Sequence, residues 1–415
     1  MGKENGFIAR SLNVAFIIDE YPTSSTFIMN QIDGLYESGL KVSIYPRFRN
    51  ETKPIECNDR YKNAVFFPVL YLPKSPVLFF KIFIRYFLKF LFINCKQVLN
   101  SLNPLIFGKD ALNLKVFYQI MPFLGRKFDI VQVHFGTNGD MPVILKKVGF
   151  DFKLFTMFHG YDIRLGVEKG GAIYRELFYY GDYFQSICAY NSKKLIEFGL
   201  DLKKLIYHPV GIDISKIEFI PRKPLSEHEV VEILSIGRLV WEKGYEHALL
   251  AIKDLADKGY KFRYTIIGDG YLKDELTKLV KVLDIVSYVR ILGFKDNSEI
   301  IEMMPEYHIF LLSSEAEALP LVLMEAQASG MPVVATEAGS INEEILDGIS
   351  GYIVPVKNSR AISEKLEHLI NHSEAWEKMG KQGTCFIRNK YDIVALNEKL
   401  ALSYFQSINV FAMMP

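Results

Sequence analysis

The chain has 415 residues, more than one hydrophobic core usually organises, so two domains are expected. With 49% hydrophobic and 23% charged residues it can bury enough apolar surface to offset its ordering entropy, which excludes a disordered or fibrous protein. Lys+Arg 49 against Asp+Glu 48 leaves a formal charge of +1, without the basic excess that neutralising many phosphates demands, so no nucleic-acid partner is expected.

The run NVAFII from Asn13 to Ile18 reads as a buried parallel strand, followed by a polar loop and a helix from Phe27 to Ser38 that stops at Gly39. The polar N-terminus leads straight into this strand without the long apolar region of a signal peptide, so no export is expected. Cys57, Cys95, Cys188 and Cys385 lie far apart with no CxxC spacing, which argues against a disulfide framework or structural zinc and for a reducing cytoplasm. KVSIY (41–45), DIVQVHF (129–135), KLFTMF (153–158) and YFQSIC (183–188) continue as strands separated by helix-compatible sequence, the alternation of a doubly wound α/β sheet.

Residues 68–107 interrupt this alternation, being dense in Phe, Leu and Ile, with Lys81, Arg85 and Lys89 at four-residue spacing on one helical face. Three cations at about 2.5 to 3.5 kcal/mol each near a bilayer centre disfavour spanning. A helix lying on an anionic membrane surface fits better, with Phe79, Phe83, Phe87 and Phe90 available for the acyl boundary. A core helix whose cationic heads snorkel to solvent is the alternative.

Residues 208–230 carry three prolines and no sustained period, the character of a connection between domains. The division expected is 1–210, 211–390 and a terminal helical segment 391–415. Strands resume with VEILSIG from Val231, FRYTIIG from Phe262, YVRILG from Tyr288, HIFLLS from His308 and PVVAT from Pro332, repeating the first half's architecture.

In EALPLVLMEA (317–326), Pro320 suits a first helical turn and Gly330 a helix end, so a helix beginning near Leu319 would aim its N-terminus at the sheet's carboxyl edge, where α/β folds bind phosphates. Glu317 and Glu325 would flank that anion site, as suits a nucleotide sugar. Directly after the strand VEILSI, Arg238 and Lys243 stand in the loop 237–244, bounded by Gly237 and Gly244, from which both can reach a diphosphate. At roughly 1.5 to 3 kcal/mol per charge-assisted bond, the pair would contribute about 10² to 10⁴ in leaving-group stabilisation, enough to replace a metal. In the first half, His134 and His159 each end a strand, and Asp162 stands three residues on to orient His159, which could meet a sugar hydroxyl or stabilise charge.

No GxxxxGK[ST], HExxH or GxSxG motif occurs, Gly268-Asp269-Gly270 lacks the third glycine of a dinucleotide fingerprint, and no Asp-x-Asp occurs. A metal-independent site without a cofactor is expected.

In order along the chain, GRLVWEKG at Gly237, IIGDG at Ile266, VRILGF at Val289, the Glu-x7-Glu segment at Glu317, ASGMPVVAT at Ala328 and EEILDGISGYIVP at Glu343 resemble the retaining nucleotide-sugar glycosyltransferases of family 4. That resemblance implies the GT-B fold, two Rossmann-like domains facing across a cleft, with the terminal helix crossing back to the first domain. It implies that Arg238 and Lys243 hold the donor diphosphate, Glu325 the ribose, Glu317 the transferred sugar and His159 a sugar hydroxyl. Gly237, Gly268, Phe294, Leu319, Pro320, Leu321, His134, Asp162 and Thr26 complete the implied substrate-binding set. The segment YPTSSTFI (21–28) looks like that of members building exported polysaccharides, although Ser25 replaces a Glu and the family's glycine-rich acceptor loop is missing. Ala318 stands where Gly is usual, and Ser340 and Asn342 replace a Gly and a Pro.

The function expected is transfer of a sugar, with retention, from a nucleoside diphosphate to a lipid-linked saccharide by a cytoplasmic protein on the inner face of the cell membrane. A nucleotide-sugar epimerase or glycan phosphorylase on the same fold, and a non-catalytic sugar-nucleotide sensor, are the alternatives.

Overall fold

The computed structural model describes residues 11–21, 26–49, 75–226 and 229–408. Two compact units result: residues 1–187, 191–208 and 397–415 form the first, residues 188–190 and 209–396 the second.

The first unit is built on a six-stranded parallel sheet in the order β2-β1-β3-β4-β5-β6. Its strands are β1 (Asn13–Tyr21), β2 (Lys41–Arg49), β3 (Ile130–His134), β4 (Lys153–Phe158), β5 (Tyr183–Ser186) and β6 (Leu205–Tyr207). Short runs rich in Val, Ile and Phe suit strands covered on both faces, and β3 is buried along its whole length. β2 sits on the sheet edge, where Pro46 removes no needed ladder donor. Because β1 is followed in the sheet by β2 on one side and β3 on the other, the connection direction reverses there. Open α/β sheets bind ligands at that reversal, outside the carboxyl ends of the strands.

From Asn397 on, the last helix (Ile393–Ile408) belongs to this unit. Its Tyr404 ring packs edge-on against Phe155 at 4.8 Å, and its hydroxyl donates to Gln132 Oε1 at 2.7 Å inside the sheet's apolar face.

The helix Pro76–Leu91 opens with Ser75, whose Oγ accepts from the Leu78 N–H, and has Pro76 at its first position. Phe90 is buried, and Phe79, Ile82, Phe83, Tyr86 and Phe87 pack on the core beside it. The phenylalanines expected at an acyl boundary therefore face the protein. The opposite face carries Val77, Phe80, Ile84 and Leu88, all more than half exposed, interleaved with the exposed Lys81, Arg85 and Lys89. Aromatic rings and cations share the four-residue period, and packing against the rings of Phe117 and Tyr118 decides which set turns inward. Residues 68–74 of the expected segment lie outside the described residues, as do Pro22 to Ser25. Among the described residues no helix is long and apolar enough to cross a membrane.

The second unit holds another six-stranded parallel sheet in the order β12-β11-β10-β7-β8-β9. Its strands are β7 (Val231–Ile236), β8 (Phe262–Ile267), β9 (Val289–Ile291), β10 (Ile309–Leu312), β11 (Val333–Thr336) and β12 (Gly351–Val354). The order reverses between β7 and β10. The loops that leave those two strands are GRLVWEKG and the Glu-x7-Glu segment, so the topology alone brings the two motifs together.

Candidate active site

In the second unit, β7 delivers its loop to the sheet's carboxyl edge. The Gly237 N–H donates to Ile267 O at 3.0 Å and the Leu239 N–H to Asp269 O at 2.8 Å, tying the loops after β7 and β8 together. Gly268 (φ 151°) lies so close that a Cβ there would stand 1.9 Å from Gly237 O, so the two strand ends meet backbone to backbone. The turn Trp241–Lys243 is pinned from β10, because Ser313 Oγ donates to Lys243 O at 2.9 Å and the Glu315 N–H to Glu242 O at 2.8 Å. Behind it, His247 Nε2 lies 3.0 Å from Glu315 Oε1, with Glu246 near enough to complete a cation-sized group, and the Lys357 ammonium already answers Glu315 at 2.9 Å.

Lys243 Nζ donates to Glu317 Oε1, and both side chains are largely buried, at 16% and 10% exposure. Ser314 Oγ donates to the same oxygen at 2.7 Å. The diphosphate cation and the sugar carboxylate expected from the sequence thus form one ion pair. Arg238 is exposed in the same loop.

The following helix runs from Leu321 to Ala328, later than the start expected near Leu319. Pro320 is its N-cap, with extended backbone at φ −77° and ψ 107°, and Leu319 and Pro320 are buried. Glu325, on the buried side, accepts from Asn297 Nδ2 at 3.0 Å, and burial pushes its carboxyl up to about 6. Phe294 is exposed in the loop after β9. The two departures from the family pattern at Ala318 and Ser340 touch, since the Ser340 hydroxyl donates to the Ala318 carbonyl. Ser314 and Asn297 escaped the sequence reading. The Ser313-Ser314 pair directly after a buried strand was its one available signal.

In the first unit, His134 ends β3 and His159 follows β4. Their rings stack at 5.4 Å between centroids, with His134 Nδ1 3.2 Å from His159 Nε2. Phe27 and Phe135 close on His159 at 4.9 and 4.6 Å. Phe135 holds φ 67°, an uncommon backbone conformation for a bulky residue, at the point where the sheet order reverses. Burial drives the His134 imidazole well below its ordinary range and His159 down to about 3. Both rings are therefore neutral near pH 7, one donating to the other, so of the two roles expected of His159 the hydrogen bond to a hydroxyl suits it better than the stabilisation of charge. Among the described residues His134 Nε2 has no hydrogen-bond partner.

The Asp162 carboxylate reaches the backbone of His159 rather than its ring. It accepts from the backbone N–H groups of Gly136, His159 and Ile163 at 2.8, 2.7 and 3.1 Å, fixing the loop that presents the ring. Burial pushes its carboxyl up to about 7 against the pull of those donors. Thr26 is exposed at the first residue of the helix Thr26–Glu37, next to Phe27.

Residues 216–385 match the family model of glycosyl transferases group 1. The amylovoran biosynthesis glycosyltransferase AmsK of Erwinia amylovora is 30% identical over 373 residues, covering 86% of this chain and 90% of its own. WcaL of Escherichia coli K12, named for colanic acid biosynthesis, is 29% identical over 369 residues, with 86% and 90% covered. The crystal structure of Anabaena HepE with UDP-glucose superposes at a TM-score of 0.67 with 14% identity, covering 95% of this chain and 100% of HepE.

Proposed function

The chain belongs to the glycosyl transferases of group 1, and from that premise we propose that it transfers a sugar, with retention and without a metal, from a nucleoside diphosphate to a lipid-linked saccharide in cell-surface polysaccharide assembly. The observation that carries the reading is the Lys243–Glu317 pair at the reversal of the second sheet. A lysine there meets the charge that grows on a departing diphosphate, with Arg238 as a second cation on the same loop. Glu317, released from Lys243, is then free to accept from a hydroxyl of the sugar, while Glu325 and the helix from Leu321 serve the ribose and phosphates. The neutral histidine pair of the first unit suits the hydroxyl-rich, uncharged surface of a saccharide. The AmsK and WcaL names point to extracellular polysaccharides as the product class.

Incubating the protein with a panel of sugar nucleotides and an undecaprenyl-diphosphate saccharide, then reading the anomeric proton coupling of the product by NMR, tests this reading. The donor's anomeric configuration is expected in the product; inversion, or nucleotide release without a new glycosidic bond, overturns it.

We place the enzyme peripherally on the cytoplasmic membrane face. The supporting observation is the exposed row Val77, Phe80, Ile84 and Leu88 with Lys81, Arg85 and Lys89 between its members, a face that suits anionic headgroups and the upper acyl layer. Replacing the three cations with Gln is expected to weaken co-sedimentation with vesicles containing phosphatidylglycerol by about 10²-fold, at about 1 kcal/mol per cation. Added salt should act in the same direction, and unchanged binding in both measurements removes this placement.

A further inference from the structure

Glu344 follows the 3₁₀ turn Ile341–Glu343 and is completely buried, and among the described residues neither of its carboxylate oxygens has a hydrogen-bond partner. Its backbone is fully committed: the N–H donates to Ile341 O at 2.9 Å and the carbonyl accepts from Gln327 Nε2 at 2.7 Å. The neighbouring Glu343 carbonyl takes both Lys390 Nζ at 2.8 Å and the Tyr391 hydroxyl at 2.7 Å. The backbone that carries the side chain is thus held on both sides.

The loop that carries Glu344 is fastened to the segment that carries Glu317. Gly339 lies directly on the Glu317 carbonyl, and the Ser340 hydroxyl holds that of Ala318. The charges that reach Glu344 are Glu317, Lys390, Glu343 and Lys243. A buried carboxylate without donors is costly enough that such a group gives up its charge. Burial first, and Glu317 second, hold this carboxyl well above its ordinary range, which favours the uncharged acid.

We propose that Glu344 is a positioning residue of the donor site, whose own charge decides whether Lys243 is free to leave Glu317 for a diphosphate. The proposal rests on the assignment of Lys243 to the diphosphate. With Glu344 uncharged, the carboxylates of Glu317 and Glu343 balance the ammoniums of Lys243 and Lys390, and a diphosphate competes with Glu317 for Lys243. With Glu344 ionised, the group of Glu317, Glu343, Lys390 and Lys243 gains one further negative charge, and a diphosphate meets a net negative pocket. Donor affinity therefore falls as pH rises through the ionisation of Glu344, and a residue of the same shape that cannot ionise removes that fall.

Calorimetric titration with UDP, and separately with inorganic pyrophosphate, from about pH 6.5 to about pH 9.5 measures this. The wild-type dissociation constant is expected to rise with pH more steeply than that of Glu344→Gln, by up to about tenfold per pH unit once Glu344 ionises. Glu344→Met, of similar volume and without a titrating group, should match the Gln variant and guards against a folding defect in either one. Lys243 and Lys390 are common to all three proteins, so their own titration cancels in the comparison. The same pH dependence in all three overturns the proposal alone. Absence of UDP and pyrophosphate binding at every pH overturns the assignment of Lys243 as well.

Discussion

Lys243→Ala is expected to lower kcat/KM by about 10² to 10⁴, the loss of one or two charge-assisted bonds to a leaving diphosphate at roughly 1.5 to 3 kcal/mol each. A second effect accompanies it. Lys243 and Glu317 are largely buried together, and removing the cation strands a carboxylate that, among the described residues, keeps the Ser314 hydroxyl. Breaking a buried pair from one side costs about 3 to 5 kcal/mol of stability, more than the intact pair contributes over a neutral one. Stability and turnover can therefore be separated. The double variant Lys243→Ala with Glu317→Gln removes the stranded charge, so its thermal unfolding should recover toward wild type. Its turnover should not recover, because the diphosphate still lacks its cation. Recovery of both would make the pair a structural bridge and leave Arg238 as the only candidate cation on the loop. Near-normal turnover in the single variant would remove Lys243 from the chemistry altogether.

Much of this site is legible in the chain because its parts obey local rules. Buried strands announce themselves as apolar runs bounded by glycine, and the strand-loop-helix alternation gives two doubly wound sheets. The strands absent from the sequence reading, β6 and β12, are three and four residues long and stand at the edges of the two sheets. The pairing of Lys243 with Glu317 has no local signature at all. They lie 74 residues apart and meet because β7 and β10 are neighbours at the reversal of the sheet, a property of strand order rather than of either motif. The helix Pro76–Leu91 shows the converse limit. Its period is plain, but Phe79, Phe83 and Phe87 and the row Lys81, Arg85 and Lys89 recur at the same interval. Only the core already built from Phe117 and Tyr118 decides which row is covered. Glu344 is the extreme case. In sequence it is half of a Glu-Glu pair in a polar loop, and acidic loop residues are almost always solvated. Its burial follows from Gly339 and Ser340 drawing the loop onto Glu317 and Ala318.

That attachment makes Gly339 the position where the smallest chemical change should do the most damage. Gly339 has φ 62°, where alanine is strained by about 1 kcal/mol relative to glycine. A Cβ there would also stand 1.8 Å from Glu317 O and 2.8 Å from Glu317 C, against backbone atoms that cannot rotate away. Gly348 separates the two costs. Its φ is 71°, yet a Cβ there meets nothing within 4 Å. Gly348→Ala is therefore expected to lose about 1 kcal/mol of stability with turnover unchanged. Gly339→Ala should lose about 2 to 4 kcal/mol, because the Glu317 backbone must move as well. Moving it draws Glu317 off Lys243 and Ser314 and opens the loop over Glu344, so kcat/KM should fall by about 10²-fold or more, the scale that an ångström of misplacement carries in an active site. Chemical denaturation and steady-state kinetics on the two variants measure both quantities. Equal losses in the two would mean that the loop yields without disturbing Glu317, and that the carboxylate is held by its ion pair and by Ser314 rather than by the turn above it.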